Sequence, residues 1–273
     1  MRERAELAGA RRVVVKVGSS SISGENAHKI QTIVDGLAAA HARGTEVVLV
    51  SSGAIATGMP YLSLDERPVD LATQQAAAAV GQNVLIYRYQ DALRPFQIVA
   101  GQVLLTAGDL ENSTHRSNAR RAMERLLGLR ILPIVNENDT VATHEIRFGD
   151  NDRLAAMVAG LIGADALVLL SDIEALYTRP PSEPGARPID TVAHDDDLSG
   201  FEFGATVVNS VGTGGAATKA SAARLAAASG IGVLVTSADL VDEALSGASI
   251  GTWFAPNPAV TPSSATAPLR TGV

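Results

Sequence analysis

Four short runs in this chain are apolar almost without interruption: "RVVVKV" at 12–17, "EVVLVSS" at 46–52, "ALVLLSD" at 166–172 and "IGVLVTS" at 231–237. A strand with no polar alternation has no face to offer water, so it must be covered on both sides. Between these runs lie segments of helical period. They are 27–44 (stopped by Gly44), 71–93, 113–128 with Ser113 as its cap, 150–164 and 215–230. Further strands are expected at 97–106, 130–139 and 250–254, and a hairpin at 140–149. Strands alternating with helices predict an α/β fold with a mostly parallel sheet covered on both faces. The Pro- and acid-rich stretch 178–210 reads as an irregular insertion. The Pro/Ser/Thr/Ala-rich tail 256–273 reads as disordered.

With 273 residues, 46% of them hydrophobic, the chain suits one large domain or two lobes sharing a core. A net charge of −7 argues against a nucleic-acid surface. The absence of cysteine removes disulfides, zinc thiolates and thiol catalysis, and is compatible with a reducing cytoplasm. The charged start "MRERAELAGARR" is unlike a signal peptide, and no apolar window approaches the ~18 residues of a membrane span.

In a parallel sheet, ligands bind beyond the carboxyl ends of the strands. Polar or glycine-rich segments fall there repeatedly: "KVGSS", "SSGA", "NEND", "LSD" and "GTGGAATK". Any one alone is an ordinary loop. Five on one expected edge point to a shared cleft. Of 22 basic residues only Lys16, Lys29 and Lys219 are lysine, and two of them sit beside glycine clusters. Lysine offers a compact point charge where arginine offers a planar fork, so Lys16 and Lys219 read as phosphate-facing cations. Lys16 as an edge-strand lysine fits poorly inside a valine run. Gly18 lets backbone amides approach an anion, and Ser52, Gly53 and Ala54 form a strand-to-helix turn whose amides suit a carboxylate or phosphate. The segment 136–153 concentrates Asn136, Asn138, Asp139, Asp150, Asn151 and Asp152. Part of that density is helix capping. The remainder suits an ammonium group, the orienting of lysines, or Mg²⁺ through water. "GTGGAATK" is not a P-loop, because Lys219 follows Thr218 and not a glycine. Its amides at a helix start still favour an anion. Two lysines with an aspartate such as Asp152 between them are what phosphoryl transfer requires. A serine hydrolase at Ser52 is rejected, since the turn "SSGAIATG" does not read G-x-S-x-G and the five scattered His have no telling spacing.

The blocks "VVVKVGSS", "VLVSSGAIATG", "GQVLLT", "PIVNENDTVATHEIRFGDND", "GADALVLLSDIEALY" and "GTGGAATK", in this order, resemble the glutamate 5-kinase family of the amino acid kinase superfamily over roughly 11–255. The resemblance implies a three-layer αβα sandwich. An amino-acid-binding lobe would span about 1–164 and an ATP-binding lobe about 165–255. It implies transfer of the γ-phosphoryl of ATP to the side-chain carboxylate of L-glutamate, the first step of proline synthesis, with Mg²⁺ carried on ATP and not held by direct protein ligands. By motif position Lys16 and Lys219 become transition-state lysines and Asp152 their organiser. Ser52, Asp139 and Asn151 hold glutamate, with Gly53, Asn136 and Asp150 beside them. Ser171, Asp172, Thr213, Gly214, Gly215, Ala216, Ala217, Thr218 and Lys219 line ATP, and Lys16 also touches its phosphates. A cytoplasmic homo-oligomer, feedback-inhibited by proline, follows from the same resemblance. Three departures stand out. The chain stops before the C-terminal PUA domain of many members, Ala216 replaces a usual Met, and "RPPSEP" at 179–184 replaces a usual Asp-Pro. A sister kinase with another acceptor, and a non-catalytic amino-acid sensor, are the competing readings.

Overall fold

The computed structural model describes residues 1–142, 151–201 and 215–261. These form one eight-stranded sheet: β1 (Arg12–Val17), β2 (Glu46–Val50), β3 (Ala100–Leu105), β4 (Leu132–Glu137), β5 (Ala166–Ser171), β6 (Thr191–Val192), β7 (Gly232–Ser237) and β8 (Thr252–Phe254). Their order is β3-β4-β2-β1-β5-β7-β8-β6, and every pairing is parallel except β7 with β8. Helices α1 (Lys29–Ala42), α2 (Ala54–Gly58), α3 (Leu71–Leu93), α4 (Ala107–Glu111), α5 (Ser113–Gly128), α6 (Asn151–Ile162), α7 (Ala216–Ala228) and α8 (Val241–Leu245) connect them.

The apolar runs become the buried central strands, and two cores form, one on each face. Residues of α5, α6 and α7 pack on one face, and residues of α1, α3 and α8 on the other. The side-chain period of two divides β1 between them. Val14 enters the first core, while Val13, Val15 and Val17 enter the second. Lys16 therefore shares a face with Val14, toward α6 and α7. This three-layer arrangement is the expected one.

Several elements differ from the sequence reading. Asn112, not Ser113, caps α5, accepting from the amides of Thr114 and His115 at 3.0 Å each. Both are good capping residues. Asn112 holds the extended backbone a cap needs (φ −71°, ψ 122°), and Ser113 is already helical. The insertion at 178–210 is not wholly irregular: Thr191–Val192 adds β6 beside β8. The expected strand at 250–254 shortens to β8, because Gly251 turns at φ 67°. The short helices α4 and α8 were not anticipated, being too brief to show a helical period, while α2 begins at Ala54, where the strand-to-helix turn was expected. Most of the expected hairpin at 140–149, and the tail from 262 onward, lie outside the described residues.

One contact between elements is unusually close. Gly58 in α2 and Gly81 in α3 lie backbone to backbone. A β-carbon on Gly81 would stand 1.8 Å from the carbonyl oxygen of Ala54, and one on Gly58 would stand 1.9 Å from that of Ala77. Only glycine fits at either position. The crossing fixes α2, whose first residue follows the Ser52–Gly53 turn, against the long α3.

Candidate active site

Lys16, the penultimate residue of β1, lies on a central strand paired on both sides, with β2 and with β5. It is 2% exposed, so an edge-strand role is ruled out. Its Nζ meets Oδ1 of Asp152 at 2.5 Å. Asp152, in the first turn of α6, has no exposed surface. Its Oδ2 accepts from Nζ of Lys219 at 3.2 Å. Lys219 lies on the first turns of α7 and is 7% exposed. A strand and two helix starts, far apart in sequence, thus bring two ammonium groups onto one carboxylate. Burying these charges costs several kcal/mol per ion before their attraction is counted, so the triad is an expensive way to hold a fold together. By contrast Lys29, the remaining lysine, forms an exposed pair with Asp239 at 2.8 Å and lies outside the cluster.

Around Lys16 the backbone leaves room. Gly18 has an ordinary φ of −80°, so left-handed freedom is not its purpose. A β-carbon there would come 3.8 Å from the lysine Nζ, and its absence keeps the space beside the ammonium open. Gly53 does need its freedom: it sits at φ 89°, with Ser23 Oγ 3.0 Å from where a β-carbon would be. Ser52 and Gly53 make the turn from β2 into α2.

The amino-acid side of the expected cleft is organised by amides. Nδ2 of Asn151 donates to the carbonyl of Ser51 at 2.6 Å and to Oδ1 of Asn136 at 2.7 Å. The amide of Glu137 also donates to that Oδ1, at 2.9 Å, and Nδ2 of Asn136 donates to Oε1 of Gln82 at 2.8 Å. A backbone carbonyl only accepts, so the Ser51 contact fixes which atom of Asn151 is nitrogen, and each later link follows. Both hydrogens of Asn151 Nδ2 are used, leaving its Oδ1 as an acceptor. Behind this relay the Tyr89 hydroxyl meets Ser51 Oγ at 3.0 Å. Burial pushes the Tyr89 phenol well above its usual range, so it stays neutral. Ser51 Oγ donates to the Ser52 carbonyl, which leaves Tyr89 as donor to Ser51. Tyr89→Phe is expected to lower stability by about 1 kcal/mol in a denaturant titration.

A cavity of about 280 Å³ opens beside this relay. Gln82, Glu137, Asn138 and Asp139 contribute to its lining. Asp139 was anticipated. Gln82 was not, because one polar residue in a 23-residue helix carries no signal of its own. Asn136 and Asn151 stand behind the wall as buried members of the relay.

On the other side of Lys16, Ser171 and Asp172 stand at the end of β5, with Ser171 Oγ donating to Asp172 Oδ1 at 3.1 Å. Gly215, Ala216, Ala217 and Thr218 open α7. The Gly215 amide donates to Thr218 Oγ1 at 2.9 Å, and that hydroxyl donates back to the Gly215 carbonyl. This start of α7 favours an anion. Asp150, Thr213 and Gly214 lie outside the described residues. Among the described residues no group of three or more His, Asp or Glu is placed to hold a metal, and no helix is long and apolar enough to cross a membrane.

The model of the amino acid kinase family matches residues 11–237, most of the chain. The chain belongs to the amino acid kinase family. Within it the chain groups with the glutamate 5-kinases. It is 72% identical to the glutamate 5-kinase of Clavibacter sepedonicus over 253 residues, 93% of this chain and 97% of that one. It is 70% identical to that of Leifsonia xyli subsp. xyli, over 93% and 94% of the two chains. The glutamate 5-kinase of Salinispora arenicola is 55% identical, and the match spans 94% of this chain and 70% of that longer one. The fold is shared with carbamate kinase from Giardia lamblia, solved bound to AMP-PNP: TM-score 0.67 at 15% identity, over 92% of this chain and all of that one. It is shared also with isopentenyl phosphate kinase, at TM-score 0.61 and 18% identity, over 89% and 99%.

Proposed function

We propose that this amino acid kinase moves the γ-phosphoryl group of ATP onto the side-chain carboxylate of L-glutamate, and that the Lys16–Asp152–Lys219 cluster is where the transfer happens. The observation that carries the reading is the convergence of two buried ammonium groups on one carboxylate at the carboxyl edge of a parallel sheet. A carboxylate oxygen of glutamate attacks the γ-phosphorus, the bond from that phosphorus to the bridging oxygen of ADP breaks, and γ-glutamyl phosphate and ADP result. No proton is transferred. Two anions must be brought together and charge spread over the phosphoryl oxygens, which is work for fixed cations.

In this reading Asp152 aims both lysines. Lys16 reaches the phosphates from the sheet, and Lys219 reaches them from α7. Ser171, Asp172 and the α7 start hold the nucleotide in the lobe from 165 to 255, together with Thr213 and Gly214, which come just before α7 in sequence. Ser52, Gly53, Asn136, Asp139, Asp150 and Asn151 belong to the acceptor side, in the lobe from 1 to 164. Mg²⁺, which offsets phosphate charge, would come bound to the nucleotide.

Trapping the acyl phosphate with hydroxylamine tests the substrate. Hydroxamate is expected with L-glutamate, and neither with N-acetylglutamate nor with aspartate. Product from another acceptor alone would keep the chemistry and overturn the substrate. Folded, ATP-binding protein that makes no product would favour a sensor.

A further inference from the structure

The amide relay ends on a group that the reaction has not yet used. Its direction runs from the Ser51 carbonyl through Asn151 and Asn136 to Oε1 of Gln82. Because Oε1 must be the accepting atom, the Gln82 amide cannot be flipped, and its Nε2 faces away from Asn136. That nitrogen carries two hydrogens and donates to no other described residue. Gln82 is half-buried and lines the cavity beside α2, β3 and β4. The last of four linked groups thus carries an unused donor in a residue that lines the cavity.

We propose that Gln82 binds the α-carboxylate of the amino-acid acceptor through Nε2, and so sets the register in which the side-chain carboxylate reaches the lysines. This rests on the reading of the cluster as the transfer site. Lys16 is on β1 and Asn136 on β4, two strands away in the order β4-β2-β1. With strands ~4.8 Å apart, that is roughly 10 Å across the sheet edge. The two carboxyl carbons of extended glutamate lie about 5 Å apart. With its reacting carboxylate at the lysines, an acceptor whose α-carbon end enters the cavity extends along that edge toward β4 and α3. An NH₂ group donates only, so among the groups at that end it selects the carboxylate. Glu137 and Asp139 in the same lining are carboxylates and suit the ammonium beside it. A site that ends in a fixed donor discriminates strongly against acceptors lacking the matching group.

Gln82→Glu tests this, because one oxygen of the introduced carboxyl still accepts from Asn136 while the cavity-facing donor becomes an anion. Calorimetric titration of L-glutamate should show Kd raised about 10- to 100-fold. The KM for glutamate should rise in parallel, with ATP binding and the melting temperature unchanged. The deficit should narrow on going from about pH 8 to about pH 5, as the introduced carboxyl, pushed up by partial burial and by the Glu137 and Asp139 carboxylates in the same lining, gains a proton and becomes a donor again. Glutamate affinity within about twofold of wild type would overturn the proposal. So would a loss that tracks a lowered melting temperature and is insensitive to pH, since that marks a purely structural relay. If the unaltered protein binds glutamate yet forms no acyl phosphate, the reaction reading fails while the Gln82 comparison still stands. If it does not bind glutamate at all, both fail.

Discussion

Asp152→Asn is expected to lower turnover at least about 100-fold and stability by about 3–5 kcal/mol. The side chain is almost the same size, so packing changes little. What disappears is the carboxylate that both Lys16 Nζ, at 2.5 Å, and Lys219 Nζ, at 3.2 Å, approach. Two ammonium groups are then held together inside the protein without it, at positions 2% and 7% exposed. An amide oxygen offers a hydrogen bond but no charge. One lysine must swing away or lose its proton, and either outcome removes it from the phosphoryl group. Denaturant unfolding and steady-state turnover on the same preparation check both effects. Asp239→Asn supplies the contrast. Its partner Lys29 lies 2.8 Å away, but the side chains are 55% and 25% exposed, so the loss there should stay below about 1 kcal/mol, with turnover intact. Equal effects at the two aspartates would contradict the account of the buried cluster.

Gly81→Ala is expected to cost about 3 kcal/mol or more and to raise the KM for the acceptor. The added carbon would stand 1.8 Å from a backbone oxygen of α2, and no rotamer change can relieve a clash with backbone. α2 must retreat by roughly 1.5 Å or more to reach ordinary contact. Overpacking at such a site lies at the upper end of the usual 1–3 kcal/mol cost. The displacement is transmitted directly to the Ser52–Gly53 turn and to Ala54, which also lines the cavity. Gly160→Ala is the control. It lies in α6 with open space around it, and alanine there should stabilise by about 0.5–1 kcal/mol. If both substitutions behave alike, the α2–α3 crossing does not constrain the fold as described.

Much of the architecture was legible because unbroken apolar strands admit few solutions. "RVVVKV" had to be buried on both faces, and its one charge stood out for that reason. Strand alternation then fixed the face Lys16 occupies. The residues it meets there come from α6 and α7, whose starts were marked by "GDND" and "GGAATK". What escaped notice has a physical reason in each case. Gln82 acts through the direction of an amide chain, and direction is set by partners distant in sequence. Gly58 and Gly81 look like ordinary helix glycines until the two helices cross. β6 has two residues, too few for any period. Asn112 and Ser113 are neighbouring capping types, and only backbone geometry chose between them.

The central claim is that the lysine cluster performs the transfer, and Lys219→Ala tests it most directly. Asp152 keeps Lys16 as partner in that variant, so the fold should survive. Turnover should be measured with saturating ATP and L-glutamate, beside calorimetric binding of each. The account predicts turnover reduced by about 100-fold or more, with glutamate binding and the melting temperature close to wild type. Turnover within a few-fold of wild type would contradict it, and would place the transfer elsewhere than at the Lys16–Asp152–Lys219 cluster.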